Sequence, residues 1–298
     1  MNKLIKRALS GVVFVSVLIF CILFSKITFI GLFFILMLFC LYEFKKMIGL
    51  ISIFPYLIGI LIFIFGNILN VEDLPSIMIF EYVGVALFLT IFMSFASILF
   101  AKKEEVISHL GKIFLTIIYI VVPFTLIVQI PFLNATFNYM NSTILGVFIL
   151  IWTNDTFAFL VGKNFGKHKL LERISPNKTI EGFIGGMVFS VIAGILISKF
   201  YFQPKPNYLI TSIVIWTISA IIISIFSTLG DLIESKFKRI AGVKDSGHIM
   251  PGHGGILDRL DSIIFVAPIL DIFAPSPTNF PYIVLDEILL TVKILLTF

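Results

Sequence analysis

The sequence predicts an all-α, polytopic integral membrane protein with about 8-9 transmembrane helices and its N-terminus in the cytoplasm. Two observations carry that reading. The 298-residue chain is 59% hydrophobic and only 13% charged, with a mean hydropathy of +1.10, whereas soluble domains are roughly half apolar and one quarter charged. Its apolar residues, 34 Phe among them, fall into runs that approach the roughly 20 residues needed to cross a bilayer. A water-soluble fold is excluded, and lipid is the solvent in which the rest of the sequence must be understood.

The runs, in chain order, are 9–24, 27–42, 48–69, 77–100, 113–133, 143–162, 180–200 and 209–229. Lys3, Lys6 and Arg7 ahead of the first run resemble the start of a cleavable signal. No small-residue cleavage site follows, however, and further spans come at once, so 9–24 reads as the first transmembrane helix. It meets the second at Ser25 and Lys26, which predicts a helical hairpin. Cys21 follows Phe20 rather than the small residue of a lipid-attachment site. Cys21 and Cys40 both lie in apolar runs without CxxC or Cys/His spacing, so neither a disulfide nor a zinc site is supported. Beyond 229, the run 262–274 is too short to span comfortably and is interrupted by Pro268 and Asp271. It reads as a ninth span completed by irregular backbone or as a re-entrant piece. Residues 282–298, with Asp286, Glu287 and Lys293, lie in the interface or return across the membrane.

The net charge of +5 says less than where the charges stand. Lys3, Lys6 and Arg7, then Lys45 and Lys46, Lys102 and Lys103, the stretch 163–178 and the stretch 236–244 occupy alternate connections. The intervening connections are nearly free of Lys and Arg, with Lys26, Lys199 and Lys205 as the exceptions. Because cytoplasmic loops of membrane proteins are enriched in Lys and Arg, this places the basic connections and the N-terminus inside and implies a multi-pass protein of the cell (plasma or inner) membrane. No fixed-period repeat or low-complexity linker divides the chain. One polytopic domain over 1–298 follows, with its chemistry in the second half, within 150–262.

The densest polar segment, 230–262, reads GDLIESKFKRIAGVKDSGHIMPGHGGILDRLDS. It sets Asp231, Asp245, Asp258 and Asp261 beside Lys236, Lys238, Arg239, Lys244 and Arg259 in a chain that otherwise avoids charge. Asp258 and Asp261 stand three apart, so a helix there projects both carboxylates from one face. Such a pair can hold magnesium, which takes hard oxygen ligands and keeps waters and substrate phosphates in its shell. Gly252, Gly254 and Gly255 let backbone amides approach phosphate oxygens, and a helix beginning near Ile256 directs its positive end to the same place. Carboxylates, cations and a glycine turn together describe phosphoryl or nucleotidyl transfer. The plainer alternative is a loop of ordinary ion pairs.

A second cluster, 162–186, precedes the seventh run. Lys163, Lys167 and Lys169 read as the positive-inside signal. Ser175 before Pro176 reads as a helix N-cap with proline at the first helical position, and the cap with Lys178 and Thr179 can also bind a phosphate. Gly182, Gly186, Ser190, Gly194 and Ser198 recur every four residues, the pattern of a helix-packing face. Such a stripe leaves a homodimer open as well as contacts within the chain. Asp155, beside Asn154 in an apolar run, marks a functional position by its charge alone, as a ligand or as a partner for a lysine. His253 in the glycine turn can donate to a phosphate or move a proton. His248 reads as structural, and His109 and His168 have no partner pattern. No Ser/His/Asp order, Walker motif or dinucleotide GxGxxG is present, which disfavours triad hydrolysis and P-loop chemistry.

Ser235, Lys238, Arg239, Lys244, Asp245, His253, Gly254, Gly255, Asp258, Arg259 and Asp261 stand at the spacing of the phosphatidate cytidylyltransferases, or CDP-diacylglycerol synthases, which the chain resembles. The likeness extends to DTFAFLVG at 155–162 and SPNKTIEG at 175–182. Met250 and Asn177 depart from the usual pattern without touching a charged motif residue. The resemblance implies that CTP and phosphatidic acid give CDP-diacylglycerol and pyrophosphate, with Mg2+ required and a second cation allowed. The partners are then those two substrates and the lipid bilayer, with no nucleic acid. On this reading Asp231, Asp258 and Asp261 take metal, Asp245 less directly. Lys178, Lys238, Arg239, Lys244 and Arg259 take phosphates. Ser175, Thr179, Ser235, Gly254, Gly255 and Asp155 line the substrates. The rivals are a lipid kinase using CTP, against which the 235–261 pattern argues, and a transporter, whose polar residues would cluster at the midplane in paired halves.

Overall fold

The computed structural model describes residues 3–67, 99, 107–133, 138–202 and 206–273. The expected fourth run, 77–100, and the tail 282–298 lie outside the described residues, apart from Leu99. The elements are α1 (Lys3–Phe24), α2 (Lys26–Met47), α3 (Phe54–Asn67), α4 (His109–Thr116), α5 (Val122–Gln129), α6 (Asn141–Phe165), β1 (Lys169–Leu171), β2 (Ser175–Thr179), α7 (Ile180–Leu196), α8 (Leu209–Ile240) and α9 (Leu257–Phe273). Among the described residues, six helical stretches are long and apolar enough to cross a membrane: Ile5–Phe24, Lys26–Met47, His109–Phe132, Asn141–Phe165, Ile180–Phe202 and Leu209–Ile240.

The first hairpin turns on a single residue. Ser25 caps α2, its hydroxyl accepting from the Thr28 amide while Thr28 Oγ1 accepts from the Ser25 amide, a capping box that stops one helix and starts the next. Farther on, α4 runs into α5 through a widened π turn, Ile117–Val121, just before Pro123. Proline lacks an N–H and its ring crowds the carbonyl four residues back, so a π turn there keeps the helix going without a break.

The stripe of small residues on α7 packs within the chain. A Cβ added at Gly186 would lie 2.7 Å from the Asn154 carbonyl, one at Gly182 would lie 2.6 Å from that of Ala158, and one at Gly194 would lie 2.8 Å from that of Trp216. Ser190 donates to the Leu150 carbonyl and Ser198 to Ser212. The stripe thus seats α7 between α6 and α8. Gly186→Val should lower the unfolding temperature in detergent, at a cost of about 1–3 kcal/mol, because backbone cannot move aside as a flexible side chain can. Unchanged unfolding would mean that α6 and α7 separate freely.

The uncertain piece near the C-terminal end is a helix. Along α9, Leu257, Leu260, Ile263, Ile264, Val266 and Ala267 are all buried, and the helix packs on α8 and α5, with α2 and α6 nearby. A helix that is apolar all round belongs inside a protein core. Protein surrounds most of the described part of this one, which accommodates Pro268 within it.

Two readings are corrected. Ser175 caps no helix, because 175–179 is the strand β2, paired antiparallel with β1. The cap of α7 is Thr179, whose hydroxyl accepts from the Gly182 amide at 3.1 Å. Strand pairing takes Ser175 and Pro176 out of helical geometry and delivers the chain to α7 four residues later. The eighth helix also runs eleven residues past its apolar part, through Asp231, Lys238 and Arg239 to Ile240, so the first third of the polar segment is helix rather than loop.

Candidate active site

The α8 helix stops sharply. Gly242 adopts a φ of +68°, its amide bonded to the Arg239 carbonyl and that of Val243 to the Lys238 carbonyl, the paired bonds of a Schellman ending that only a left-handed residue permits. The chain then doubles back through a second glycine turn. Gly252 and Gly254 have φ of +79° and +94°, and Met250 pairs with Gly254 through an amide–carbonyl bond of 3.0 Å. The result brings the polar end of α8 against the first turns of α9.

Lys238 sits in that junction. Its ammonium is 2.7 Å from Glu234 on the same helix and 2.7 Å from Asp258 on α9. The other oxygen of Asp258 accepts from the Gly255 amide at 2.8 Å and from the amide and hydroxyl of Ser246, both at 3.0 Å. Glu234 is wholly buried. A second unanticipated acid, Glu43 from the far end of α2, enters the same junction. Its carboxylate accepts from the amides of Ile256 and Leu257, at 3.1 and 2.9 Å, and from the Ser246 hydroxyl at 3.2 Å. The sequence offered little signal for Glu43, a carboxylate just past the apolar run 27–42 and next to Lys45 and Lys46.

One turn along each helix lies a second group. Lys178, on β2, pairs with Asp231 at 2.7 Å, and the Ser235 hydroxyl donates to Asp231 at 3.2 Å. Asp261 is 9% exposed and accepts at close range from the Ser262 amide. The carboxylates of Asp155, Asp231 and Asp261 repel one another across α6, α8 and α9, with Lys178 and Lys238 as the counter-charges. Asn154 holds the α6 side of the group, donating to Ser227 at 3.1 Å and toward Asp155 at 3.4 Å.

The glycine turn is held from outside by α1. Arg7 donates to the Gly252 carbonyl at 2.6 Å, and Ser10 hydrogen-bonds His253 Nδ1 at 2.6 Å and the Pro251 carbonyl at 3.0 Å. Arg259 donates to the His253 carbonyl at 3.0 Å. Partial burial and the positive charges of Arg259 and Arg7 push the His253 imidazole down from its usual value, toward the neutral form. Here Arg7, Asp245, His253 and Gly254 help to line a cavity of about 180 Å³. It adjoins through Met250 an apolar groove of about 620 Å³ between α1 and α2.

The structure therefore gathers most of the anticipated residues but gives several of them other work. Arg239 donates to the Ile174 carbonyl at 3.3 Å and ties α8 to the β-hairpin. Lys244 and Asp245 are exposed in the turn. His168 has a partner after all, Glu181 at 2.6 Å. Among the described residues no three His, Cys, Asp or Glu side chains form a ready metal cage. Magnesium is usually held by one or two carboxylates with waters and substrate phosphates, and the mutually repelling carboxylates of Asp231 and Asp261 fit that need.

Residues 5–276 match the sequence pattern of the Cytidylyltransferase family. The phosphatidate cytidylyltransferase of Staphylococcus haemolyticus (strain JCSC1435) is 47% identical over 153 residues, 49% of this chain and 56% of that protein, so that alignment spans little more than half of the relative. The phosphatidate cytidylyltransferase of Staphylococcus aureus (strain COL) is 36% identical over 259 residues, 76% of this chain and 95% of that protein. That of Bacillus subtilis (strain 168) is 35% identical over 270 residues, 89% and 95% of the two chains. With the match running over residues 5–276, nearly end to end, the chain belongs to the Cytidylyltransferase family.

Proposed function

We propose that the protein transfers CMP from CTP to phosphatidic acid at the cytoplasmic face of the cell membrane, giving CDP-diacylglycerol and pyrophosphate. The observation that carries this reading is the pair of lysines, Lys178 and Lys238, each seated among carboxylates of neighbouring helices at one end of an apolar bundle. The phosphomonoester of phosphatidate has its second pKa near 6 and is largely ionised at pH 7. Its oxygen attacks the α-phosphorus of CTP, and the bond from that phosphorus to the bridging oxygen of pyrophosphate breaks. No strong protein base is needed. The protein's task is to align several like charges and neutralise them.

On this reading Lys178 and Lys238, now paired with Asp231 and with Glu234 and Asp258, take phosphate oxygens when the substrates bind, and the amides around Gly254 and Gly255 border the same loop. Asp231, Asp258 and Asp261 are the residues that would hold magnesium. When bound, magnesium would supply further neutralisation of phosphate charge. Asp258 has both oxygens engaged, and so has Asp231, by Ser235 and Lys178, whereas Asp261 accepts from the Ser262 amide at one oxygen, which makes Asp261 the readiest ligand. The apolar groove between α1 and α2 offers an acyl chain a place beside the glycine turn. The cytoplasmic assignment draws support from the bundle itself. The start of α1, the end of α2, the end of α8 and the β-hairpin, each carrying one of the basic clusters, meet at one end.

The test is pyrophosphate release by the purified protein with CTP, magnesium and phosphatidate, each omitted in turn. Release only with all three, together with a CDP-lipid, is the expected result. Nucleotide diphosphate release would point instead to a lipid kinase, and intact CTP to a carrier.

A further inference from the structure

Glu43 lies on α2, about two hundred residues before the polar segment, and has no part in the reaction as written above. The residue is 1% exposed. Its two oxygens take the amides of Ile256 and Leu257, donors at the start of α9 that no helical carbonyl can satisfy. A negative charge there also faces the positive end of the helix.

The contact continues toward the reacting groups. The Ser246 hydroxyl lies 3.2 Å from Glu43 and 3.0 Å from Asp258, and its single proton can serve only one carboxylate at a time. The loop is also cut to fit this acid. A Cβ at Gly247 or at Gly255 would run into the Glu43 carboxylate, and the one at Gly255 also into the Ser246 hydroxyl. Neither glycine has a positive φ, so space rather than backbone conformation accounts for them.

We propose that Glu43 is a positioning residue for the reaction: by gripping the start of α9 it sets the place of Asp258, and one turn later of Asp261, relative to Lys238 on α8. This rests on the cytidylyltransferase reading above. A misplacement of about 1 Å at a reacting group can cost on the order of a hundredfold in rate, so the grip matters even where the fold survives its loss.

The experiment uses the full-length protein in detergent and compares Glu43→Gln, Gly255→Ala and Thr28→Ala. Glu43→Gln keeps the reach of the side chain but sets an NH2 against amide donors. Gly255→Ala displaces the same carboxylate without changing it. Thr28→Ala breaks the cap at the opposite end of α2. The measurements are kcat and KM for CTP, the unfolding temperature, and hydrogen exchange at the amides of Ile256 and Leu257. Glu43→Gln and Gly255→Ala should each lower kcat about 10- to 100-fold with little change in KM, and exchange at the two amides should quicken. Thr28→Ala should lower the unfolding temperature while kcat stays as in the unaltered protein. A normal kcat in Glu43→Gln overturns the proposal, as does unchanged exchange, or an equal loss of kcat in Thr28→Ala. An inactive unaltered protein would instead sink the proposed reaction, and the exchange result would still decide whether Glu43 holds α9.

Discussion

Asp261→Asn and Asp258→Asn are each expected to slow CDP-diacylglycerol formation by on the order of a thousandfold, the scale seen when one preorganised charge-stabilising group is removed. The two should part company in stability. Asp261 is buried facing Asp155 and Asp231, so its neutral amide relieves repulsion among three carboxylates, and the unfolding temperature should hold or rise. Asp258 accepts from Lys238, Ser246 and Gly255. An amide cannot accept on all those sides, so the turn should loosen and the unfolding temperature should fall. Turnover and unfolding of the two purified variants, measured side by side, check both claims. Normal rates in both would remove these carboxylates from the metal assignment.

Lys238→Met should unfold more easily by roughly 3–5 kcal/mol, the range for breaking a buried ion pair by deleting one partner. The side chain of Glu234 is 0% exposed, and its second oxygen has no hydrogen-bond partner among the described residues. Without the ammonium it is a buried charge with nothing to offset it. Adding Glu234→Leu to that variant removes the stranded charge and should restore most of the stability. Activity should not return, because Asp258 still lacks the cation and the substrates still lack Lys238. Denaturant unfolding in detergent together with pyrophosphate release separates the two effects. Recovery of activity in the double variant would reduce Lys238 to a neutraliser of Glu234.

The spans could be read from the sequence because lipid imposes a blunt rule, that long apolar runs become helices. The charged segment 230–262 stood out for the same reason, since charge is scarce elsewhere in the chain. What could not be read depended on distant partners. Residues 230–240 are polar enough to look like a loop, yet the helix continues because Lys178 and the Ile174 carbonyl meet Asp231 and Arg239 from the β-hairpin. Ser175 with Pro176 makes the better local cap signal, and pairing with Lys169–Leu171 overrode it. Glu43 stands at the end of an apolar run and Glu234 among the many charges of 230–262, and the partners of Glu43 and the Asp258 that shares Lys238 with Glu234 lie on elements that no local pattern connects to them. The ninth helix was ambiguous because its length was judged against a membrane, whereas its actual surroundings are other helices.

The unbroken α8 has one more consequence. Its 32 residues, at 1.5 Å each, make a rod roughly 48 Å long, against a hydrocarbon layer of about 30 Å. The apolar part, 209–229, matches that layer, and the remainder carries Asp231, Lys238 and Arg239 beyond it. The height of Asp231, Lys238 and Arg239 above the oily slab is thus set by helix rise and not by the set of a loop. A bilayer thicker than the apolar part must be met by thinning or by an upright rod, and a thinner one by tilt. Either response moves Asp231 relative to the plane of the lipid phosphates, so in the proposed reaction the thickness of the surrounding membrane is a variable.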